Sequence, residues 1–219
     1  PEGRGMARRD AMVMAAQAPK QFEGKAFFFF FFYTLQRLST LENRQIKQIS
    51  LFEPKTASVD KKYVYDGRQD AENVSVDLVF INSEKNGLGM PLPKGVLRVY
   101  KSDEDGSQEF IGEDRIDHTP KDEKVRVTMG NAFDIVGERT VTSSQRLSKS
   151  SRRETIEIEL RNHKDEAVTV TVIERFYGDW QLLNEVPELS DKDAGKAEFE
   201  VKIPANESKT LTLQVLLNF

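Results

Sequence analysis

His118 is the residue whose sequence surroundings best fit chemistry, because two aspartates, Asp114 and Asp117, shortly precede it. A carboxylate beside an imidazole can orient it as a general base or as a metal ligand. In the alternative role, His118 and the following Thr119-Pro120 anchor a loop. His163 lies in a predicted polar turn, and neither histidine has a second one at a spacing typical of metal sites. The pattern favours the loop anchor and predicts no metal site.

An aromatic cluster around Trp180 is the second candidate for a site. Phe176, Tyr177 and Trp180 are near neighbours in the sequence. Exposed aromatic rings can form a platform for a sugar or a peptide, whereas a tryptophan in a small β-sandwich more often fills the core. Two roles therefore stay open. In one, Trp180 and Tyr177 form a ligand platform with Asp114 and His118 as polar groups, and in the other Trp180 is a core residue.

The chain lacks the motifs of several large enzyme classes. It has no cysteine, and therefore no disulfide, no thiolate metal site and no cysteine nucleophile. Neither the Gly-x-Ser-x-Gly nucleophile motif nor a phosphate-binding P-loop occurs. The acidic runs 103–105 and 185–193 lack the calcium-loop spacing. We therefore expect a protein that is not an enzyme and uses no cofactor.

The composition of the chain argues against two kinds of partner, nucleic acid and a membrane that the chain would span. The formal net charge is -4, whereas a nucleic-acid-binding protein needs a basic surface. No apolar stretch reaches the roughly 18 residues of a membrane-spanning helix. We therefore expect neither nucleic-acid binding nor a transmembrane segment. Because the chain begins with Pro1, we expect any targeting sequence to lie upstream.

Alternation of apolar and polar residues predicts β-strands from Phe27 onward. In the last third of the chain, apolar residues alternate at 156–160 and again at 168–172, with a polar turn between them. This pattern predicts a hairpin, and the segments 198–203 and 210–215 predict a second one.

A stretch rich in glycine and proline, 86–95, leads into the predicted strand Leu97–Tyr100. We expect Gly87 and Gly89 to adopt conformations that a β-carbon disfavours. The acidic turn 103–106 then predicts a hairpin that continues to Phe110.

Short strands separated by turn residues are typical of β-sandwiches. The sequence predicts an all-β fold with two consecutive β-sandwich-like modules, residues 27–141 and 151–219, of which the second is immunoglobulin-like. The segment 142–150, rich in serine and arginine, is the predicted connector. Residues 1–26 are predicted to form an N-terminal linker arm.

Several segments carry a resemblance to a known family: 33–37, 86–100, 110–114, 130–134 and 157–162. They resemble the bacterial DUF4139 family, which is related to the mucoidy inhibitor A proteins. The similar segments fall within about residues 33 to 212. The resemblance implies a β-rich fold and a place in the bacterial cell envelope, but it implies no activity.

Phe27–Phe32 is a run of phenylalanines that departs from the alternation of the family. Such a strand is apolar on both faces, so each face needs a cover. Either Phe27, Phe28, Phe30 and Phe32 lie at an interface with another protein, or the residues of this run are not firmly identified.

The sequence thus favours a non-enzymatic protein-interaction or assembly module of the bacterial cell envelope or exterior. Its partner would be another protein or a second copy of the chain, bound through strand edges and loops. The alternative is a carbohydrate-binding or carbohydrate-processing domain that uses Trp180 and loop carboxylates, with a glycan as ligand.

Overall fold

The computed structural model describes residues 22–27, 30–35, 38–47, 52–103 and 107–219. The chain divides into two units between Lys55 and Thr56. In the first unit, β1 (Phe22–Phe27) pairs with β2 (Phe30–Leu35) in an antiparallel hairpin. The predicted arm 1–26 therefore differs from the structure in its last residues, 22–26, which belong to a strand.

The second unit contains eleven strands among its described residues. They are β3 (Asp60–Tyr65), β4 (Asn73–Ile81), β5 (Gly95–Ser102), β6 (Gln108–Ile116), β7 (Lys124–Arg146), β8 (Ser151–Asn162), β9 (Val168–Arg175), β10 (Asp179–Leu182), β11 (Leu189–Lys192), β12 (Lys196–Ile203) and β13 (Ser208–Asn218). A short 3₁₀ turn, Glu84–Asn86, follows β4. The all-β prediction is confirmed.

Nine of these strands form one mixed sheet in the order β10-β13-β8-β7-β4-β3-β9-β12-β11, and β5 pairs with β6 in a separate two-stranded sheet. Neighbours in the large sheet are antiparallel except β3 and β9, which are parallel. The sheet folds back on itself, so that β12 approaches β8 and β13. The result is a sandwich-like arrangement of two layers, β13-β8-β7 and β3-β9-β12, around one core.

The core consists of the inward-facing residues of these strands. On β8 the fully buried apolar residues are Ile156, Ile158 and Leu160, with charged residues between them on the opposite face. Apolar residues of β9, β12 and β13 join the same cluster: Val168, Val170, Val172, Ala197, Phe199, Val201, Ile203, Leu211, Leu213 and Val215. The apolar residues that alternate at 156–160 and 168–172 in the sequence therefore face the core, on β8 and β9 respectively.

The predicted pairing of these strands is wrong. β8 pairs with β7 and β13, and β9 pairs with β3 and β12, so β8 and β9 lie in opposite layers. The segments predicted as a second hairpin, β12 and β13, also lie in opposite layers. The two connections are arches over the end of the core, and Asn162 joins them. Its buried amide donates to the carbonyl oxygens of Glu166 (2.9 Å) and Pro204 (2.8 Å).

The structure also differs from the predicted division into modules. β7 continues through the predicted module boundary at 141 and into the predicted connector 142–150, and its pairing with β8 runs to Arg146 opposite Arg152. Strands of both predicted modules thus share one sheet and one core. The Ser- and Arg-rich composition of 142–150 marks the end of a long hairpin and not a linker between domains.

Candidate functional site

A buried asparagine holds the base of the β5–β6 hairpin. The Asn82 side-chain amide donates to the carbonyl oxygens of Met90 (2.7 Å) and Pro120 (2.8 Å) and accepts from the backbone N–H of Gly89 (3.2 Å). Leu92 and Thr119 exchange backbone hydrogen bonds of 2.8 and 2.9 Å between the same two segments. Because every polar atom of a buried amide must be satisfied, Asn82 fixes where the hairpin begins.

Gly89 has the backbone conformation that the sequence predicts. Its φ is +83°, and that of Gly87 is +76°. A β-carbon at Gly89 would also lie 2.6 Å from the backbone nitrogen of Glu84. The glycines therefore allow the loop to turn tightly against the 3₁₀ turn and to deliver β5 in a defined direction.

One face of the hairpin lies against β7. Leu97 and Val99 on this face are half-buried. Gly112 leaves room for the Met129 side chain, because a β-carbon at position 112 would lie 3.1 Å from the Met129 sulfur. The Asp114 carboxylate accepts a hydrogen bond of 2.7 Å from the backbone N–H of Thr128. Asp114 therefore fastens β6 to β7.

The opposite face of the hairpin is open, and apolar side chains flank an ion pair on it. Val96 and Tyr100 are each 50% exposed and Phe110 is 55% exposed. The rings of Tyr100 and Phe110 meet edge to face with their centroids 5.5 Å apart. An ion pair between Arg98 and Glu113 (2.9 Å) lies between this ring pair and Val96. We call these five residues the hairpin face.

His118, the first residue singled out from the sequence, contacts the backbone near the base of the hairpin. Its Nδ1 accepts a hydrogen bond of 3.2 Å from the backbone N–H of Lys94, and Asp117 forms an ion pair of 3.0 Å with the Lys94 ammonium. Asp114 instead binds β7. Among the described residues, no group of three or more His, Asp or Glu side chains is arranged to hold a metal ion.

Trp180 packs at the open edge of the sandwich. Its ring stacks on Phe176 with centroids 4.3 Å apart, and its Nε1 donates to the carbonyl oxygen of Ala194 (3.1 Å). The ammonium of Lys192 lies 4.5 Å from the ring centroid. Since β10 and β11 are the two edge strands of the sheet, Trp180 links one edge to the other.

The four residues of the predicted ligand platform do not meet in one site. Asp114 lies on β6 and bonds β7, and His118 contacts Lys94 at the base of the hairpin. Trp180 instead partly packs against the core. Tyr177 is 72% exposed, and the Arg68 guanidinium lies 5.9 Å from its ring centroid.

A polar pocket of about 330 Å³ lies on the outer face of β3, β4, β7 and β9. Two buried carboxylates line it. Asp77 pairs with Arg126 and accepts from the Thr128 hydroxyl (2.9 Å), and Asp66 pairs with Arg175 at 2.7 Å. The remaining lining is mainly amide and hydroxyl groups: Gln69, Asn73, Ser75 and Asn131. Such a surface suits a ligand that carries several hydroxyl groups.

A second pocket of about 290 Å³ combines arginines with aromatic rings. Within it, the Arg139 guanidinium donates two hydrogen bonds to the Glu174 carboxylate, at 2.8 and 2.9 Å, and the Arg68 Nε donates one at 3.0 Å. Glu174 is 1% exposed and the Arg139 side chain 13%. We call this site the arginine pocket.

Burial and ion pairing shift the pKa values of two groups beside the arginine pocket, Arg139 and Tyr65. Burial acts to lower the pKa of Arg139, but the hydrogen bond and negative charge of Glu174 outweigh it, so the pKa is raised. For the neighbouring Tyr65 hydroxyl, burial disfavours the negatively charged form and raises the pKa to about 12. Arg139 is therefore a permanent cation held in a fixed place.

The sequence reasoning missed Asn82, Arg139 and Glu174. Glu174 had a recognisable signal, since it follows Val168, Val170 and Val172 at the same inward-facing spacing on β9. A charged residue at an inward position needs a partner inside the protein. The identity of that partner, Arg139 on β7, depends on a contact between the two layers.

Within the described residues, no helix is long and apolar enough to cross a membrane. No protein-family model, curated protein or solved structure matches this chain.

Proposed function

We propose that this chain is a non-enzymatic protein-interaction or assembly module and that the hairpin face is its docking surface. One observation carries the proposal: the Tyr100–Phe110 ring pair is open to solvent beside the Arg98–Glu113 ion pair, while the opposite face of the same hairpin is fastened to β7. Aromatic residues that are fixed before binding lose little entropy on docking and often dominate interface energies.

The surroundings of the ring pair also suit a protein contact. Arg98 and Glu113 are each about half exposed and can exchange ion pairs with a partner beside the ring pair. A second copy of the chain is the first partner to test. The resemblance to the DUF4139 family supports a place in the bacterial cell envelope or exterior.

The phenylalanine run is a second proposed contact. Phe27 ends β1, and Phe30 and Phe32 lie in β2, whereas Phe28 lies outside the described residues. Their role at an interface is still a prediction.

Replacing both rings of the hairpin face, as Tyr100→Ser with Phe110→Ser, is expected to abolish self-association with only a small decrease in the unfolding midpoint, because about half of each residue is already exposed. Light scattering after size exclusion, at concentrations up to millimolar, measures the association. Leu147→Ser removes an equally exposed apolar residue from the β7–β8 turn and should leave association intact. A wild-type chain that stays monomeric, or a double variant that associates like it, would contradict this assignment.

Glycan binding is the second candidate function, and the polar pocket favours it. Its amides, hydroxyls and charged pairs offer donors and acceptors of the kind that bind sugar hydroxyls. On a glycan array, Asn131→Ala should lose any signal that the wild-type chain gives, whereas Asn184→Ala, outside the pocket, should keep it. Trp180→Ala tests the platform that the sequence suggests. An array without signal for the wild-type chain would exclude this candidate.

A further inference from the structure

The inward-facing positions of the sandwich change from apolar to charged at one end of the core. On β8, Ile156, Ile158 and Leu160 face inward, and Glu154 and Arg152 continue the same alternation. Their partners on β13, Val215 opposite Glu154 and Leu217 opposite Arg152, remain apolar. The charges are therefore placed beside the core and not on the outer face of the sheet.

The strands β7 and β9 show the same change. On β7 the inward position after Ile135 and Gly137 is Arg139, and on β9 the position after Val172 is Glu174. Buried ion pairs recover the cost of removing charges from water only in part, and apolar residues of similar volume often stabilise a fold equally well. Packing alone does not explain four charged inward positions on three strands.

The charges in the arginine pocket do not balance. Three guanidinium groups, those of Arg68, Arg139 and Arg152, face two side-chain carboxylates, Glu154 and Glu174, so these side chains carry one positive charge in excess. Within residues 52–103 and 107–219, Arg68 bonds Glu174 through Nε alone and Arg152 bonds Glu154 through Nη1 alone. Several N–H groups of these two side chains therefore stay free for a ligand.

The remaining lining is apolar and aromatic. Phe176 and Leu217 are buried at the end of the core, and Tyr177 and Phe219 stand at the mouth with more than half of their surface exposed. Aromatic rings beside a guanidinium favour a flat apolar group over which the cation can lie. A volume of about 290 Å³ lies at the lower end of the range for ligand pockets and admits a single ring with a short side arm.

We propose that the arginine pocket binds an aromatic carboxylate, with the carboxylate on the free N–H groups of Arg68 and Arg152 and the ring against Phe176 and Tyr177. Glu174 pairs with Arg139 and with Arg68 Nε, and Glu154 pairs with Arg152 Nη1. The terminal nitrogens of Arg68, and Nε and Nη2 of Arg152, are then available to the ligand. A ligand with one negative charge balances the charges of these five side chains. The ligand is either a free aryl acid or the C-terminal aromatic residue of a peptide, since both present the same chemistry. This site is independent of the hairpin face.

Isothermal titration of the full chain with two acids and their amides tests the proposal. The acids are 3-phenylpropionate, which represents a free acid, and N-acetylphenylalanine, which represents a peptide end. Each acid should bind about tenfold or more tightly than its neutral amide, because the amide loses the charge-assisted hydrogen bonds. Tighter binding of N-acetylphenylalanine identifies a peptide end, and tighter binding of 3-phenylpropionate identifies a free acid.

Two neighbouring arginines provide a matched pair of variants. Arg152→Gln removes a pocket guanidinium that is about half exposed, so the fold should survive, and it should weaken binding of the acids about tenfold. Arg153→Gln removes the exposed arginine on the outer face of the same strand and should leave binding unchanged. Thermal unfolding checks the fold of both. The proposal is overturned if neither acid binds at millimolar concentration, if acids and amides bind equally, or if the two variants behave alike.

Discussion

Glu174→Ala is expected to lower the free energy of unfolding by about 3 to 5 kcal/mol, which is typical when one partner of a buried ion pair is removed. The Arg139 guanidinium would keep its charge in a place where 13% of its side chain meets solvent. Arg68, which is about one third exposed, can turn toward water and adds less. Urea denaturation at neutral pH measures the loss.

Two further variants show whether the loss comes from the unpaired charge. Glu159→Ala breaks the ion pair with Arg161 on the outer face of β8, where both side chains are partly exposed, and should cost less than about 1 kcal/mol. The double variant Arg139→Met with Glu174→Leu removes both buried charges and should recover most of the stability. If Glu174→Ala costs no more than Glu159→Ala, the carboxylate is not the counterion that holds Arg139.

Ile158→Ala is expected to cost about 2 to 4 kcal/mol, because it removes a branched side chain from the middle of the core and leaves a cavity. Ile158 is 1% exposed and lies between Arg139 on β7 and Leu211 on β13 in the register of the sheet. Rigid strands on both sides limit how far the site can collapse. Chemical denaturation of the variant gives the value.

The controls for this change lie at the same position and on the same strand. Ile158→Val removes one methylene group and should cost about 0.5 to 1.5 kcal/mol. Glu157→Ala alters the opposite face of β8 and should stay within about 0.5 kcal/mol. If Ile158→Ala lowers the free energy of unfolding by less than about 0.5 kcal/mol, this face of β8 does not form the core.

The turn sequences 162–166 and 204–208 show where the sequence reasoning fails. The local pattern predicts a hairpin turn at each, but both connect strands of opposite layers, and Asn162 joins them. Asparagine, proline and short polar residues suit a hairpin turn and an arch equally well. A local pattern therefore predicts that the chain reverses and does not predict which strand it pairs with next.

The sequence alone predicts the all-β fold, the inward faces of β8 and β9, and the positive φ of Gly87 and Gly89. These features depend on residues close in the chain, through the alternation of side chains along a strand and the conformational range of glycine. Contacts made in the folded protein set the strand order, the single sheet that joins the two predicted modules, the open hairpin face, and the ion pair of Arg139 with Glu174. Each of these features depends on contacts between segments that are far apart in the chain. Several different strand pairings would bury the same apolar faces, so the alternation of residues does not distinguish between them. The energies of side-chain packing and charge pairing favour one of these pairings over the others.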